Sequence, residues 1–242
     1  MRFYSLFVRW VGFASIGLFA CVAKADPIVY YNYDLFGPPA TASAGARSDF
    51  LDQLILSVGS EGFETQTVGS VGPLALTFPG SMGDITATLT GDGRVTDSSG
   101  AGDFNTTPGG GNWWQTDHGE FQIDFSKPIA AFGFYGTDIG DASGQVTLTL
   151  TDVNNMVTSL TIPNPTFSFD GSQLFYGFVD TANSYKSIAF GNTSAGGDNF
   201  GFDDMVIGDL GQLKNPPVLG LPGTLALMSL ALVAAASVRR RV

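Results

Sequence analysis

Two stretches of the chain alternate strictly between apolar and polar residues: Phe121, Ile123 and Phe125 are interleaved with Gln122 and Asp124, and Val146, Leu148 and Leu150 with Thr147, Thr149 and Thr151. A period of two places the apolar set on one face of an extended strand, so each stretch is predicted to bury one face and show the other to solvent. Further runs rich in β-branched and aromatic residues span 74–78, 85–90, 129–135, 156–162, 173–179, 187–190 and 202–207 and are separated by Gly, Asn, Asp or Pro, giving about nine strands. The one helical signal covers 48–56, with Ser48 as its cap and Phe50, Leu51, Leu54 and Ile55 on one face. Closely spaced strands without long helices between them predict an all-β domain, an antiparallel β-sandwich of jelly-roll type, over residues 26–214.

Both ends of the chain break this pattern. Arg2 and Arg9 precede the apolar stretch Trp10 to Val22, and Ala23-Lys24-Ala25 offers a small-x-small site, so residues 1–25 read as a secretory signal helix cleaved after Ala25. An uncleaved anchor, or lipidation at Cys21, is the alternative; bulky Phe19 stands where a lipidation site carries a small residue. At the other end, residues 218–238 carry no charge. At about 1.5 Å per residue they are long enough to cross a hydrocarbon core of about 30 Å as a transmembrane helix. Asn215-Pro216-Pro217 forms the linker before that span, and Arg239, Arg240 and Arg241 follow it. The positive-inside rule then leaves the arginines in the cytoplasm and the domain outside.

Charge sharpens this division. All 22 acidic residues fall between Asp26 and Asp209, whereas only Arg47, Arg94, Lys127, Lys186 and Lys214 of the 11 basic residues lie in the body. So acidic a body repels nucleic-acid phosphates, which excludes nucleic acid as a partner and leaves cations and neutral sugars. Cys21 is the only cysteine. The mature chain therefore has no disulfide, no thiolate metal site and no cysteine nucleophile.

Residues 217–227, Pro-Val-Leu-Gly-Leu-Pro-Gly-Thr-Leu-Ala-Leu, followed by the apolar span and the arginines, resemble the PEP-CTERM sorting signal of Gram-negative bacteria. Pro222 and Gly223 match that signal, while Gly220 and Leu221 stand where it carries Pro and Glu. In the body, Ala46-Arg47-Ser-Asp-Phe50-Leu51, Glu61-Gly62-Phe63-Glu64, residues 131–141 and Phe200-Gly-Phe-Asp203-Asp204-Met205 are similar to a recurring ectodomain of PEP-CTERM proteins. The resemblance implies a surface or extracellular-matrix protein without catalysis, placed beside exopolysaccharide. The signal and the apolar span imply the secretion machinery, signal peptidase and the membrane as partners, and the resemblance adds a membrane-embedded exosortase and exopolysaccharide.

Candidate chemistry is sparse. Glu64 opens the domain and Asp203 and Asp204 close it; the first and last strands of a sandwich often lie side by side, so these carboxylates are expected at one edge, where hard oxygen ligands suit calcium. The Phe-Glu opening and Asp-Asp ending also look similar to carbohydrate-binding jelly rolls, in which acidic residues near the two chain ends hold a structural calcium. Asp138 and Asp141 in one turn and Asp198-Asn199 in another offer a second cation site, with plain turn chemistry the favoured reading. After a glycine run, Trp113 and Trp114 are adjacent strand residues, so one ring is expected to face outward, where it could stack on a sugar. Hydrolase readings have little to rest on. His118 is the only histidine, Ser143 and Ser172 lie in ordinary turns, and nothing in the spacing of Glu64, Glu120 and the Asp residues selects a glycosidase pair.

The sequence thus predicts a non-catalytic exported surface or matrix protein, sorted or anchored by its tail. The alternative is a calcium-stabilised carbohydrate-binding module, and a secreted glycosidase is the third reading.

Overall fold

The computed structural model describes residues 26–35, 40–55, 57–100, 103–104, 107, 109–142, 144–163 and 171–214. The expected signal with Cys21, Ala23 and Ala25, and the whole tail with Pro222, Gly223, the span 218–238 and Arg239 to Arg241, lie outside the described residues. Among the described residues no helix is long and apolar enough to cross a membrane.

The strands in chain order are β1 (Ile28–Asp34), β2 (Ser60–Glu61), β3 (Leu74–Phe78), β4 (Ile85–Gly91), β5 (Arg94–Thr96), β6 (Ser99–Gly100), β7 (Asp103–Phe104), β8 (Trp113–Thr116), β9 (Phe121–Ile129), β10 (Ala131–Thr137), β11 (Val146–Asp152), β12 (Val157–Thr161), β13 (Gln173–Val179), β14 (Tyr185–Asn192) and β15 (Phe200–Gly208). One α-helix, α1 (Thr41–Leu51), follows β1. Two antiparallel sheets form the domain: one runs β1-β13-β10-β15-β8-β5 with β2 beside β15, the other β12-β11-β14-β9-β4-β3, and β6 and β7 make a separate hairpin.

The two strictly alternating stretches become β9 and β11, both in the second sheet on either side of β14. Their apolar residues Phe121, Ile123, Phe125, Val146, Leu148 and Leu150 enter the core between the sheets, while Gln122 and Asp124 face solvent. The first sheet behaves differently. Every residue of β10 and β13 is buried, because α1 lies across their outer face. Phe132, Phe134, Tyr176 and Phe178 point into the inter-sheet core; Ala131, Tyr135, Phe175 and Val179 point the other way, into a second cluster with Ala46, Phe50 and Leu54.

Two glycines make that second cluster possible. Gly133 and Gly177 occupy neighbouring positions on β10 and β13. A β-carbon on Gly133 would sit 3.0 Å from Phe50 Cε1 and 2.8 Å from Phe175 Cζ, and one on Gly177 would sit 3.0 Å from Phe50 Cδ2. The missing side chains form the depression that seats the Phe50 ring, which is fully buried and stands 5.5 Å from the Phe175 ring.

The helix corrects the expected one. It starts at Thr41, and Ser48 sits exposed near its end instead of capping it. Ala40 at the N-cap supplies no side-chain bond. Asp34, the last residue of β1, does so from outside the helix: its Oδ1 accepts the Ala42 N–H at 3.1 Å and its Oδ2 the Ser43 N–H at 2.8 Å and the Ser43 hydroxyl at 2.7 Å. A carboxylate there meets the unsatisfied amides and the positive end of the helix dipole.

Candidate functional site

The antiparallel pairing of β2 with β15, Glu61 opposite Met205, brings the early and late parts of the domain side by side. Register between β10 and β15 shifts beyond Gly133, and Asp204 there has φ 48°, a β-bulge that re-aims its side chain. Glu64, Asp203 and Asp204 gather in this region with the glycine-containing segment before β8. Glu64 Oε1 accepts the N–H groups of Gly111 and Asn112, each at 2.8 Å. Asp203 is buried; its Oδ1 accepts the Asp204 N–H at 2.7 Å and its Oδ2 accepts the Thr107 hydroxyl. Burial pushes the Asp204 carboxyl above its ordinary range; the Arg47 guanidinium works against that shift and Glu64 adds to it. Arg47 itself lies 5.8 Å over the Tyr135 ring.

Whether this corner suits calcium turns on its free oxygens. Both oxygens of Asp203 and one of Glu64 already hold protein donors, and Arg47 provides positive charge beside Asp204. Among the described residues no three acidic, histidine or cysteine side chains converge closely enough to hold a metal ion. In the described part of this corner, protein donors and Arg47 thus already meet part of the charge that the expected calcium would balance.

The tryptophans require a correction. They do face opposite sides of β8, but Trp113 is 1% exposed and Trp114 is 0% exposed, so neither indole presents a face to a sugar. Trp114 enters the inter-sheet core and stacks on Phe63 at 6.3 Å, tilted 30°. Trp113 lies over Gly201 of the neighbouring β15: a β-carbon there would be 2.9 Å from its Cε3. Alternation told the two faces apart; that both faces are covered is a tertiary fact.

Of the acidic turns, 138–141 and 194–198 come together. Asp198 is buried, and its Oδ2 accepts the Gly140 N–H at 2.9 Å, next to Asp141 in the chain. Burial, then the charge and contact of Asp141, push Asp198 up to about 6 despite the Gly140 bond. Asp138 is also buried, with φ 67°, and donates its N–H to the Ser172 carbonyl at 3.0 Å. His118 lies exposed with Nδ1 3.7 Å from Asp92 Oδ2, which also accepts the Thr116 hydroxyl and the His118 N–H, both at 2.7 Å. Ser172 is buried, Glu120 is exposed, and Ser143 lies outside the described residues.

One feature was not foreseen from the sequence. Between the edge strand β1 and α1 runs a groove of about 390 Å³, lined by Tyr30, Asn32, Thr41, Ala42, Gly45 and Asp49 among others. Tyr30 is half-buried and its ring meets Phe50 edge-on at 6.0 Å. Burial and then the Asp49 carboxylate raise the Tyr30 phenol above its ordinary value, so it stays a hydrogen-bond donor at neutral pH. Gly45, in the middle of the helix, has no atom within 4 Å of where a β-carbon would project. The signal for this groove was the small-residue run Thr41-Ala-Ser-Ala-Gly45-Ala46 after a tyrosine-rich segment, which has meaning only once the two are packed together.

No family model matches the chain, and no curated protein matches it. Solved structures overlap it in part. The C-terminal family 22 carbohydrate binding module of Clostridium thermocellum Xyn10B is 15% identical and covers 66% of this chain and 96% of its own, at TM-score 0.37. The K2 cleaved adhesin domain of Lys-gingipain is 14% identical over 62% of this chain and 98% of its own, at TM-score 0.38. TmCBM61, solved with β-1,4-galactotriose, is 15% identical over 61% of this chain and 93% of its own, at TM-score 0.30. At these values no activity or ligand passes from them to this chain.

Proposed function

We propose that the chain is a non-catalytic glycan-binding surface protein: a jelly-roll sandwich, exported by residues 1–25 and held or sorted by its PEP-CTERM-like tail, that takes a neutral saccharide in the groove between β1 and α1. The observation that carries the reading is the groove's composition. It pairs one accessible aromatic ring, Tyr30, with an amide, a hydroxyl and a carboxylate at Asn32, Thr41 and Asp49. A ring that packs on the apolar face of a sugar, ringed by a few directional polar groups, is how concave sites select carbohydrate. About 390 Å³ lies within the ordinary range for small-ligand sites and accommodates a short oligosaccharide unit. The acidic body argues for a neutral glycan over an anionic one. Trp113 and Trp114 have no part in this proposal, and neither does a calcium at Glu64, Asp203 and Asp204.

Gly45→Leu tests it with least disturbance. The new side chain projects into the open groove, and replacing a mid-helix glycine favours the helix by up to about 1 kcal/mol. Binding to neutral polysaccharides, measured by affinity electrophoresis of the full chain, is expected to fall at least tenfold in Gly45→Leu while the melting temperature holds or rises. Retained binding in that variant contradicts the groove assignment.

A further inference from the structure

The loop pair 138–141 and 194–198 carries a feature that glycan binding does not use. Asp198 is 1% exposed, its Oδ2 is taken by the Gly140 N–H at 2.9 Å, and its Oδ1 is buried with no hydrogen-bond donor facing it. That Gly140 bond sets Asp198 against the residue before Asp141, a carboxylate on a residue open to solvent. Among the described residues neither carboxylate takes part in an ion pair, and His118, beside this region, is directed to Asp92. A buried carboxylate oxygen that no donor faces calls for a proton or a cation beside it. The loops that hold them are well tied. The Ser194 hydroxyl donates to the Ala142 carbonyl at 2.9 Å, the Ser194 N–H to Asn192 Oδ1 at 2.7 Å, and the Gly197 N–H to the Ser194 carbonyl at 3.2 Å.

We propose that Asp141 and Asp198 are the carboxylate ligands of a calcium site joining these two loops, completed by backbone carbonyl oxygens and water. A third acidic ligand is not required, since calcium accepts six to eight oxygens of mixed kind at about 2.3–2.6 Å in irregular geometry, whereas magnesium demands a near-ideal octahedron. Two carboxylates place the site in the weak, extracellular range, with a dissociation constant of about 0.1–1 mM. The proposal stands apart from the glycan groove, which lies between other elements, β1 and α1, and from the Glu64 corner, where Arg47 and protein donors already meet part of the charge.

The test is calorimetric titration of the chelator-stripped full chain with CaCl₂. Wild type is expected to bind calcium with a submillimolar constant that magnesium chloride does not compete for. Asp198→Asn and Asp141→Asn are each expected to weaken binding at least tenfold, and Glu64→Gln to leave it unchanged. Should Asp198→Asn fail to fold, Asp141→Asn, on an exposed residue, decides. Equal calcium binding in wild type and both variants overturns the proposal. So does the absence of calcium uptake at millimolar concentration together with a higher melting temperature in Asp198→Asn, which would identify a carboxyl pair sharing a proton.

Discussion

Asp34 Oδ2 accepts the Ser43 hydroxyl at 2.7 Å and the Ser43 N–H at 2.8 Å, tying the end of β1 to the first turn of α1. Ser43 is fully buried, and its hydroxyl also accepts a bond from Gln173 Nε2 of β13 at 3.1 Å, so strand, helix and sheet meet at one polar node. Removing a capping carboxylate costs about 1 kcal/mol, and Asp34→Ala is expected to lower stability by about that amount. Denaturant unfolding of the full chain measures it, with hydrogen exchange of α1 showing where the loss falls.

The same bond has a pH signature. Burial acts to raise the Asp34 pKa, but the bonds from Ser43, Ala42 and Thr41 outweigh it and leave the carboxyl below its ordinary value. A depressed carboxyl stabilises the fold above its unfolded pKa and loses that contribution as pH falls through its folded pKa. Wild type and Asp34→Ala are therefore expected to differ at neutral pH and to converge below the ordinary aspartate range, as followed by melting temperature against pH.

Asp198 has the opposite sign. Its folded pKa is raised to about 6, so the folded state holds a proton that the unfolded state has released, and in the presence of chelator this residue's contribution falls as pH rises from the ordinary aspartate range through 6. Asp198→Asn is expected to flatten that slope. The difference between the melting temperatures of variant and wild type across this window checks it.

Phe50 in its glycine-floored depression predicts two losses of different origin. Phe50→Ala empties a fully buried site and is expected to cost about 3–5 kcal/mol. Gly133→Ala leaves every apolar side chain in place yet drives a methyl to within 2.8 Å of Phe175, and is expected to cost about 1–3 kcal/mol through overpacking. Urea unfolding of both variants separates cavity from strain, because only Phe50→Ala exposes apolar surface that a small hydrophobic ligand can refill.

What the sequence disclosed follows from how local each cause is. Strands such as 121–125 and 146–151 were legible because one buried face and one wet face impose alternation directly on the residues. β1 was missed: as an edge strand half-exposed along both faces, Ile-Val-Tyr-Tyr-Asn-Tyr-Asp shows no clean period. The helix was placed too late, since its first turns consist of Thr, Ala, Ser and Gly without an apolar stripe and its capping acid lies outside it at Asp34. The reason expected for the meeting of Glu64 and Asp204 does not hold: the first strand, β1, pairs with β13 and not with the last, β15; the short β2 pairs with β15 instead, and donors to Glu64 and Asp203 come from residues 107–112. The burial of Trp113, and the groove beside Tyr30, depend on layers of chain that no local pattern announces.

The most direct test of glycan binding in the β1–α1 groove is a titration of the full chain with a panel of neutral oligosaccharides, read by NMR shifts of the Gly45 and Asn32 amides in wild type and Tyr30→Ala. Saturable shifts centred on those amides and lost in Tyr30→Ala are the predicted result. Binding that leaves both amides unmoved, or that persists unchanged in Tyr30→Ala, contradicts it.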